Sequence, residues 1–435
     1  MDIKLQIIEE LHSFLRKAMD NKSRYCQRKQ DFTRNRILSF ERVACFVLNL
    51  PKRSLAVELE GFAQLFGVDL TPTKGAFSQA RYKLKPDLFM DWNTALIKAI
   101  ERYGLLGRHW NGFRLIGIDG TLLQLPETDE IGEAFSYKAN QHGGYPMAQV
   151  LCAHDVLNGF CHLADIRPVT ASEPGMALEM VKSLPRDSLS IYDRGFPSSG
   201  LIHLLEHEKR NYLIRAKLGF NHQVRAFVKS GESSRIVGFP LTGKARERLS
   251  GFVSLQELPS EVNVRLVRVV LDNGETEVLI TSLTDQNAYP DTLFKELYFY
   301  RWGVEVFFDL FKNILQVEIF TGHKPLAILQ EFHAMVLVAN LHQLVVQGAA
   351  TSLEVANQSR KYCHKINQNV TLGLFKNAIV KLLLGQQPER VWDGLVAKFL
   401  KHTVPIIKGR SNPRKKEPKR IRGKYKTLTN YRRAV

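Results

Sequence analysis

The sequence predicts an α/β fold with helical segments at both ends, and three observations support this prediction. Apolar side chains recur at helical spacing over the first hundred residues and again over residues 285–350. From Phe113 to Lys217 the pattern is strand, strand, strand, helix, strand, helix, strand. Residues 221–284 are rich in strand-forming residues. We therefore expect one α/β core that is interrupted by an all-β insertion.

The N-terminal region predicts consecutive helices. Residues 37–48 carry apolar side chains at helical spacing, and Ser54 can cap a second helix that stops at Gly67. A short third helix over residues 74–84 buries its apolar positions and leaves polar side chains for another surface, namely Lys74, Gln79, Arg81 and Lys83. Two interpretations stay open, a helix-turn-helix-like unit and a plain helical bundle.

The central part of the chain predicts the core. The β-rich stretch 113–125 contains Asp119, and Asn158-Gly159 is a strong signal for a hairpin between the next two strands. A short strand ends directly before Asp193. The expected elements, in order, are strands 113–125, 148–156 and 160–166, helix 175–184, strand 189–192, helix 199–209 and strand 212–217.

The insertion and the later helices complete the expected organisation. Strands 262–270 and 276–282 flank a second hairpin signal at Asp272-Asn273-Gly274. One helix is expected from Asp291 through Gln316, and another over residues 326–346. These patterns predict five segments: a helical N-terminal domain (1–105), the first part of the core (110–220), the insertion (221–284), the final core helices (285–350) and a helical C-terminal region with a basic tail (351–435).

The net charge of +18 is concentrated at the two ends of the chain. Residues 1–100 hold 17 Lys and Arg against 11 Asp and Glu, and residues 408–435 hold 12 against one, so the 307 residues between them are nearly neutral. Basic ends around a neutral body favour a nucleic-acid partner, because neutralised phosphates supply most non-specific affinity. The alternative is that the basic ends aid solubility or meet acidic lipids.

Other function classes find little support. The charged N-terminus has no signal-peptide core, and the most apolar stretch, 334–346, is expected to be too short and too polar to span a bilayer. Five scattered cysteines predict reduced thiols in the cytoplasm. Four histidines lack the cysteine or acidic spacing of a zinc site, namely His154, His162, His203 and His207.

A narrow polar stripe runs along the helix predicted over residues 291–316. With about 100° per residue, Arg301, Glu305 and Lys312 fall within about 60° of Tyr298, and large apolar side chains fill the opposite side. One explanation is a buried helix with a single solvent-facing stripe that an Arg301–Glu305 pair holds. The other is a functional surface, because a carboxylate, an aromatic hydroxyl and two cations can hold a metal ion and phosphates.

Glu305 and Asp309 lie about 40° apart on this wheel, so periodicity alone does not choose between them. The cations on either side of Glu305 and its longer side chain favour Glu305 as a metal ligand. We expect Asp309 to pair with Lys312 or Asn313 instead.

Three motifs resemble the insertion-sequence-four family of bacterial DDE transposases. Tyr298, Arg301, Glu305 and Lys312 have that family's spacing, Tyr-x2-Arg-x3-Glu-x6-Lys. Residues 116–121 (Ile-Gly-Ile-Asp-Gly-Thr) resemble its first acidic motif, and residues 191–197 (Ile-Tyr-Asp-Arg-Gly-Phe-Pro) resemble its second. The resemblance covers residues 110–350 closely, and three motifs in order make it specific.

The resemblance implies a ribonuclease H-like core in which Asp119, Asp193 and Glu305 are the catalytic carboxylates and the metal ligands. It implies a DNA transposase that cuts the ends of an element and joins them to target DNA. Two Mg²⁺ ions are expected, about 3.5–4 Å apart, and Mn²⁺ is an expected substitute. Asp119 would bridge both ions, while Asp193 and Glu305 would each complete one side.

Several further residues are expected at the DNA. Arg301 and Lys312 would hold phosphates. Tyr298 would hydrogen-bond a phosphate or serve only as a helix-boundary residue, and Arg194 would touch DNA or pair with a carboxylate. If the third N-terminal helix reads bases, Arg81 and Lys83 would contact DNA as well.

The expected partners are double-stranded DNA of the element's terminal repeats and the target, and a second copy of the chain in a synaptic complex. A cytoplasmic, nucleoid-associated protein is expected, without a membrane partner. Relatives that form a hairpin intermediate stack a flipped base on a tryptophan of the insertion, but residues 221–284 contain none. Phe227, Phe239 or Phe252 could substitute. Two alternative functions stay open, a related nuclease without strand transfer and a catalytically inactive DNA-binding regulator.

Overall fold

The computed structural model describes residues 2–49, 52–140, 143–376 and 378–407, so the predicted basic tail over residues 408–435 lies outside the described ranges. The helices are α1 Ile3–Asp20, α2 Lys22–Tyr25, α3 Phe40–Leu48, α4 Leu55–Leu65, α5 Lys74–Arg81, α6 Asp87–Arg102, α7 Asp129–Phe135, α8 Glu173–Met180, α9 Ser199–His207, α10 His222–Ser230, α11 Gly243–Leu249, α12 Leu293–Phe299, α13 Trp302–Asp309, α14 Pro325–Gln358, α15 Gln368–Phe375, α16 Ala378–Leu383 and α17 Pro388–Lys401. A 3₁₀ turn, Val181–Ser183, follows α8, and a π-helical turn, Leu310–Ile314, follows α13.

The strands are β1 Arg114–Gln124, β2 Tyr137–Asn140, β3 Gly143–Asp155, β4 Phe160–Pro168, β5 Ser188–Tyr192, β6 Asn211–Ala216, β7 Ser234–Pro240, β8 Glu261–Val270, β9 Thr276–Thr281, β10 His364–Ile366 and β11 Thr403–Pro405. The predicted strands and helices between residues 113 and 217 are confirmed, with ends that differ by a few residues. The helix α7 and strand β2 were not predicted.

The chain divides into two compact units. The first holds the residues up to Leu105, Leu123–Ala148 and the residues from Asp309 onward, and the second holds Leu106–Leu122 and Gln149–Phe308. This division differs from the five predicted segments, because N-terminal and C-terminal helices share one unit. The predicted final core segment, 285–350, is divided after Phe308.

The first unit is helical and is built around α14, which packs against α3, α6 and α17. Among its N-terminal helices, α3 begins at the capping side chain of Ser39 and α5 at that of Thr73. Ser54 precedes α4 as predicted, but its side chain makes no capping hydrogen bond. The helix α14 has 34 residues, so the prediction that this stretch is too short to cross a bilayer is wrong. By length and composition it could cross a membrane, but 67% of its most apolar window is buried inside the protein, as in a core helix.

The second unit is an α/β layer structure. Within the described residues its strands follow the order β3-β1-β5-β6-β9-β8-β7, and β4 pairs with β3 outside this path. Strands β1, β5 and β6 run parallel, while β9, β8 and β7 continue the sheet in antiparallel pairs. Because side chains alternate along a strand, Ile116 and Ile118 pack towards α8 and α9, and Leu115 packs towards α12.

The all-β prediction for residues 221–284 is wrong, because this segment also contains α10 and α11. Asn221 caps α10, which buries Val224 and Phe227 and ends at Gly231 in the left-handed conformation. Helices of nine and seven residues give only about two turns of periodicity, so their apolar positions could not be distinguished from those of strands. The strands β8 and β9 extend the central sheet, since β9 pairs with β6.

The single helix predicted over residues 291–316 is interrupted between α12 and α13. At the break, successive backbone N–H groups bond three residues back, including Arg301 N to Tyr298 O at 3.1 Å and Val304 N to Arg301 O at 3.1 Å. This tighter winding shifts the following side chains around the axis. Gly303 lies at the break, where a Cβ would stand 2.8 Å from Cβ of Val156. At this interruption, the helix backbone therefore lies close to Val156, the first residue after β3.

Candidate active site

Two aspartates lie at equivalent positions of two neighbouring parallel strands. The register of β1 and β5 ends with Ile118 opposite Tyr192, so Asp119 and Asp193 follow at equivalent positions. Directly opposite residues of parallel strands point to the same face of the sheet. The sequence predicted Asp119 within a strand and Asp193 directly after another, and the structure shows these two strands as parallel neighbours.

The helix α13 carries Glu305 across the same edge of the sheet. It can approach closely because glycine stands at both contact points. A Cβ on Gly117 of β1 would lie 3.3 Å from Cβ of Val304, and Gly303 of α13 packs against Val156. Val304 is fully buried, so the next residue, Glu305, is held at the rim of the sheet with a side chain that is 39% exposed.

Arg301 connects Glu305 with Asp119. Its Nη2 donates to Oε1 of Glu305 at 2.8 Å, and its Nη1 lies 3.5 Å from Oδ2 of Asp119. The residue is only 4% exposed, and its Nε has no hydrogen-bond partner among the described residues. Asp119 also accepts a bond from N of Gly120 at 2.9 Å. Arg301 thus acts as a counter-ion that two carboxylates share.

Asp193 is held by a second set of donors. The hydroxyl of Tyr298 donates to Oδ1 of Asp193 at 3.0 Å, and Nη1 of Arg215 lies 3.8 Å from the same oxygen. Arg215 is itself fixed by Glu277, which is 7% exposed, through an ion pair of 2.8 Å. Strands β6 and β9 therefore supply an arginine and a glutamate that orient the second aspartate.

Burial changes the proton affinity of these groups. Burial, opposed by the N–H of Gly120 and by Arg301, raises the pKa of Asp119 from 3.8 to about 6. Burial and the charge of Asp193 also raise the pKa of Tyr298, so this phenol stays protonated and donates its hydrogen bond at neutral pH. An acid with a raised pKa in a group of carboxylates is typical of a functional site.

The donor set fits a hard divalent cation, since Asp119, Asp193 and Glu305 offer carboxylate oxygens of the kind that Mg²⁺ and Mn²⁺ take. Among the described residues, no three acidic, histidine or cysteine side chains stand close enough to enclose an ion as they are placed. Arg301 occupies two of the three carboxylates. A cation bound here would therefore replace contacts that Arg301 makes.

Two other residues of the stripe, Asp309 and Lys312, belong to the first unit. Oδ1 of Asp309 accepts from Nδ2 of Asn313 at 2.6 Å, one of the two partners that the sequence predicted. Lys312 is half-buried in the π-helical turn of the first unit, and the predicted helical wheel does not apply to it, because the helix is interrupted and changes winding. Arg194 is exposed, and no carboxylate in the described ranges pairs with it.

The prediction that Arg81 faces a surface is wrong. Arg81 is 2% exposed, and its guanidinium donates to Oε1 of Glu331 at 2.9 Å and to the side chain of Gln330 at 3.0 Å. The sequence could not show this, because both partners lie on α14, some 250 residues away. Lys83 is half-buried, follows the end of α5, and has its Nζ 5.9 Å from the ring centroid of Phe32.

The aromatic residues suggested as base-stacking substitutes are not on the surface. Phe227 and Phe239 are buried, and Phe252 packs partly buried against the same core. By contrast, Trp302 is 51% exposed and Phe299 is 68% exposed, and both lie next to the break that carries Arg301. Sequence reasoning had looked for a tryptophan in the insertion and missed this position.

Three charged residues near the aspartates were also missed, namely Arg215, Glu277 and Glu173. Arg215 and Glu277 lie on strands that reach the site only through the sheet order. Glu173 begins α8, and its carboxyl group is near Asp119. The only sequence signal for Arg215 was its position as a polar residue near the end of a core strand. Nothing in the local sequence pattern marked Glu277 or Glu173.

Comparisons with known proteins show to which family this chain is similar. The family described as "Transposase DDE domain" matches residues 110–341, which include all three carboxylates. The transposase InsG for insertion sequence element IS4 of Escherichia coli (strain K12) is 27% identical over 241 residues, which are 54% of this chain and 52% of that protein. InsZ of the same strain, named as a transposase, is 25% identical over 150 residues, 33% of this chain and 50% of InsZ.

The matched stretches thus span about half the length of these curated relatives. Among solved structures, the cryo-EM structure of the piggyBac transposase synaptic complex with hairpin DNA aligns with 98% of this chain and 89% of its own, with a TM-score of 0.40 and 13% identity.

Proposed function

This chain belongs to the DDE transposases of the IS4 family, and on that premise we propose that it cuts the ends of a mobile DNA element and joins them to target DNA. The observation that carries the proposal is the arrangement of three carboxylates around Arg301 and two neighbouring strands. Asp119 lies within β1, Asp193 follows the neighbouring parallel strand β5 at the equivalent position, and Arg301 links Asp119 to Glu305 of α13. Metal-dependent phosphodiester cleavage uses such oxygen donors to hold divalent cations.

We propose that the second unit contains a ribonuclease H-like core. The strand order β4-β3-β1-β5-β6, with β1, β5 and β6 parallel, supports this proposal. The positions of the acidic residues support it as well, because Asp119 lies within β1, Asp193 directly follows β5, and Glu305 lies on the later helix α13. The segment between β6 and α12 would then be the family's insertion, built from two helices and three strands.

The proposed metal ligands are Asp119, Asp193 and Glu305, with two Mg²⁺ ions as the expected cofactors and Mn²⁺ as a substitute. When bound, such ions activate the attacking oxygen and neutralise charge at the phosphorus. The chain's own residues prepare the ligands. Tyr298 and Arg215 fix the rotation of the Asp193 carboxylate, and Arg301 keeps Asp119 and Glu305 apart from solvent counter-ions.

Arg301 is the proposed phosphate contact at the site. Its buried Nε has no partner in the described part of the chain, and a phosphate oxygen can accept from it. Exposed Arg194 and half-buried Lys83 and Lys312 are proposed as further contacts with the DNA backbone, together with the basic tail. Two copies of the chain would hold two element ends in a synaptic complex in the bacterial cytoplasm.

A hairpin intermediate is proposed as the route of cleavage because one exposed aromatic side chain stands beside the site. Trp302 follows Arg301 directly and is 51% exposed. Aromatic faces stack displaced bases, which contributes about 1–3 kcal/mol per base. The substitution Trp302→Ala should then lower hairpin formation on a nicked end more than it lowers the first nick. Equal losses in both steps would contradict this route.

The function is tested by two matched substitutions on one helix. Single-turnover cleavage of a duplex that carries the element's terminal repeat, found beside the coding region, is measured across a Mg²⁺ titration. Glu305→Gln should lose essentially all cleavage, because an amide is a much weaker metal ligand than a carboxylate. Asp309→Asn, whose side chain bonds to Asn313, should keep measurable cleavage.

The same preparations separate the alternative functions. Joining of a labelled element end to target DNA distinguishes a transposase from a nuclease that only cuts. A gel shift without cleavage by the unsubstituted chain would indicate an inactive DNA-binding regulator. The reverse pattern, with Asp309→Asn inactive and Glu305→Gln active, would overturn the proposed site.

A further inference from the structure

A fourth carboxylate lies against the strand that carries Asp119. Glu173 is the first residue of α8, after the capping residue Ser172. A Cβ built on Gly120 would stand 2.5 Å from both Cδ and Oε1 of Glu173. The carboxyl group therefore touches the β1 backbone at the residue next to Asp119, in space that only a glycine at position 120 leaves open.

The carboxyl group of Glu173 is held in place on one side. Nε2 of Gln149 donates to Oε1 of Glu173 at 2.9 Å, and the same nitrogen lies 3.4 Å from O of Thr121. Gln149 is only 6% exposed, so this anchor is rigid. In the described part of the chain, Oε2 of Glu173 accepts no hydrogen bond, and no lysine or arginine pairs with this residue.

The placement of Glu173 is electrostatically unfavourable in the absence of a cation. Two carboxylates without a shared proton or cation repel each other. Arg301 bonds to Asp119 and Glu305 but not to Glu173. The chain's own cations thus leave this fourth carboxylate without compensation.

A second feature of the same site indicates a ligand independently of the carboxylates. Arg301 is only 4% exposed, and its Nε makes no hydrogen bond among the described residues. A buried guanidinium N–H without a partner is rare in proteins. The unpartnered Nε–H of Arg301 is explained if an anionic group of the substrate, such as a phosphate oxygen, accepts a hydrogen bond from it when DNA is bound.

We propose that Glu173 is a further member of the catalytic site, which supplies an oxygen to the divalent cation held by Asp119. This rests on the proposed function, because it assumes that Asp119 is a metal ligand. Divalent cations such as Mg²⁺ and Mn²⁺ take oxygen ligands and usually keep several waters, so a fourth carboxylate fits the coordination. The role of Gly120 follows, since any side chain there would push Glu173 away.

The test measures Mn²⁺ binding to the full chain without DNA, by the loss of the free-ion signal in electron paramagnetic resonance. We expect Glu173→Gln to weaken Mn²⁺ binding by about 10-fold or more, by analogy with the effect of altering residues around a metal. Gly120→Ala should weaken binding similarly, because its Cβ displaces the carboxyl group. Circular dichroism and thermal unfolding establish that each variant is folded.

Two matched controls define the comparison. Glu179→Gln changes an exposed glutamate of the same helix that pairs with Arg167, and it should bind Mn²⁺ as the unsubstituted chain does. Gly219→Ala adds a Cβ where no atom lies within 4 Å, and it should also have no effect. Equal weakening by Glu179→Gln would show that the loss of helix charge, not Glu173, is responsible, and would overturn the proposal.

The outcomes separate this proposal from the proposed function. If Asp119→Asn abolishes Mn²⁺ binding while Glu173→Gln binds normally, Glu173 is not a ligand and the transposase site stands. If Asp119→Asn also binds normally, or if the unsubstituted chain binds no Mn²⁺, the metal site itself is wrong. If both variants weaken binding and the controls do not, the fourth carboxylate is supported.

Discussion

The substitution Asp119→Asn should stabilise the metal-free protein at neutral pH while it abolishes cleavage. The side chain of Asp119 is 20% exposed, and burial raises its pKa from 3.8 to about 6. The folded chain therefore holds this proton more tightly than the unfolded chain does. A difference of about two pKa units corresponds to about 3 kcal/mol of unfolding free energy, as an order of magnitude.

The sign of the pH dependence follows from the raised pKa. The stabilising effect of the bound proton is fully present below about pH 4, and it is lost as the pH rises through about 6. Asparagine does not titrate and still offers an oxygen to N of Gly120. The advantage of Asp119→Asn should thus be small near pH 4 and complete above about pH 7.

Thermal unfolding in EDTA at several pH values measures this difference. We expect Asp119→Asn to raise the midpoint at pH 7.5 by several degrees, since about 1 kcal/mol corresponds to roughly 2–4 °C for a unit of this size. Saturating Mg²⁺ should narrow the gap, because it stabilises only the chain that binds it. Asp69→Asn, at an exposed position in a loop, is the control. A variant that is no more stable than the unsubstituted chain at pH 7.5 would refute the reasoning.

Three further predictions concern other parts of the chain. Deleting residues 408–435, which removes a charge of +11, should weaken DNA binding and flatten its salt dependence by about 0.9 log units of slope per lost phosphate contact; an unchanged slope would mean that the tail does not touch DNA. Arg81→Met leaves the buried Glu331 without its ion pair and should lower the unfolding free energy by about 3–5 kcal/mol in urea, whereas Lys83→Ala should change it little; similar stabilities for the two variants would argue against the buried network. Tyr298→Phe removes a hydrogen bond to a charged oxygen of Asp193, worth about 1.5–3 kcal/mol, so single-turnover cleavage should fall by roughly 10- to 100-fold with end binding preserved. Loss of end binding with an unchanged cleavage rate would instead assign the hydroxyl to a phosphate.

The core strands could be predicted because their apolar alternation is a local property. The strand that contains Asp119 and the strand that precedes Asp193 were placed within a few residues. The helices α10 and α11 could not be predicted, since two turns of an amphipathic helix resemble a short strand in sequence. The break before α13 depends on the contact of Gly303 with Val156, which no local pattern reveals.

Arg81 illustrates the limit of helical periodicity. The pattern placed a charged residue on the polar side of a short helix, and such residues usually face water. In the structure, two partners on α14 satisfy its guanidinium, so the charge is buried. A polar position on a wheel indicates that a side chain needs polar contacts, but it does not indicate whether water or another helix provides them.

The sequence by itself indicated the family and predicted an α/β fold and three candidate carboxylates, because strand alternation and the Tyr-x2-Arg-x3-Glu-x6-Lys spacing are local patterns in the chain. Only the tertiary structure decided which groups hold those carboxylates. Arg215, Glu277, Gln149 and Glu173 come from four separate elements, and they reach the aspartates through the order of the strands and the packing of α8. Contacts between residues that are distant in the chain depend on how helices and strands pack, and this packing leaves no periodic pattern in the sequence of any single helix or strand.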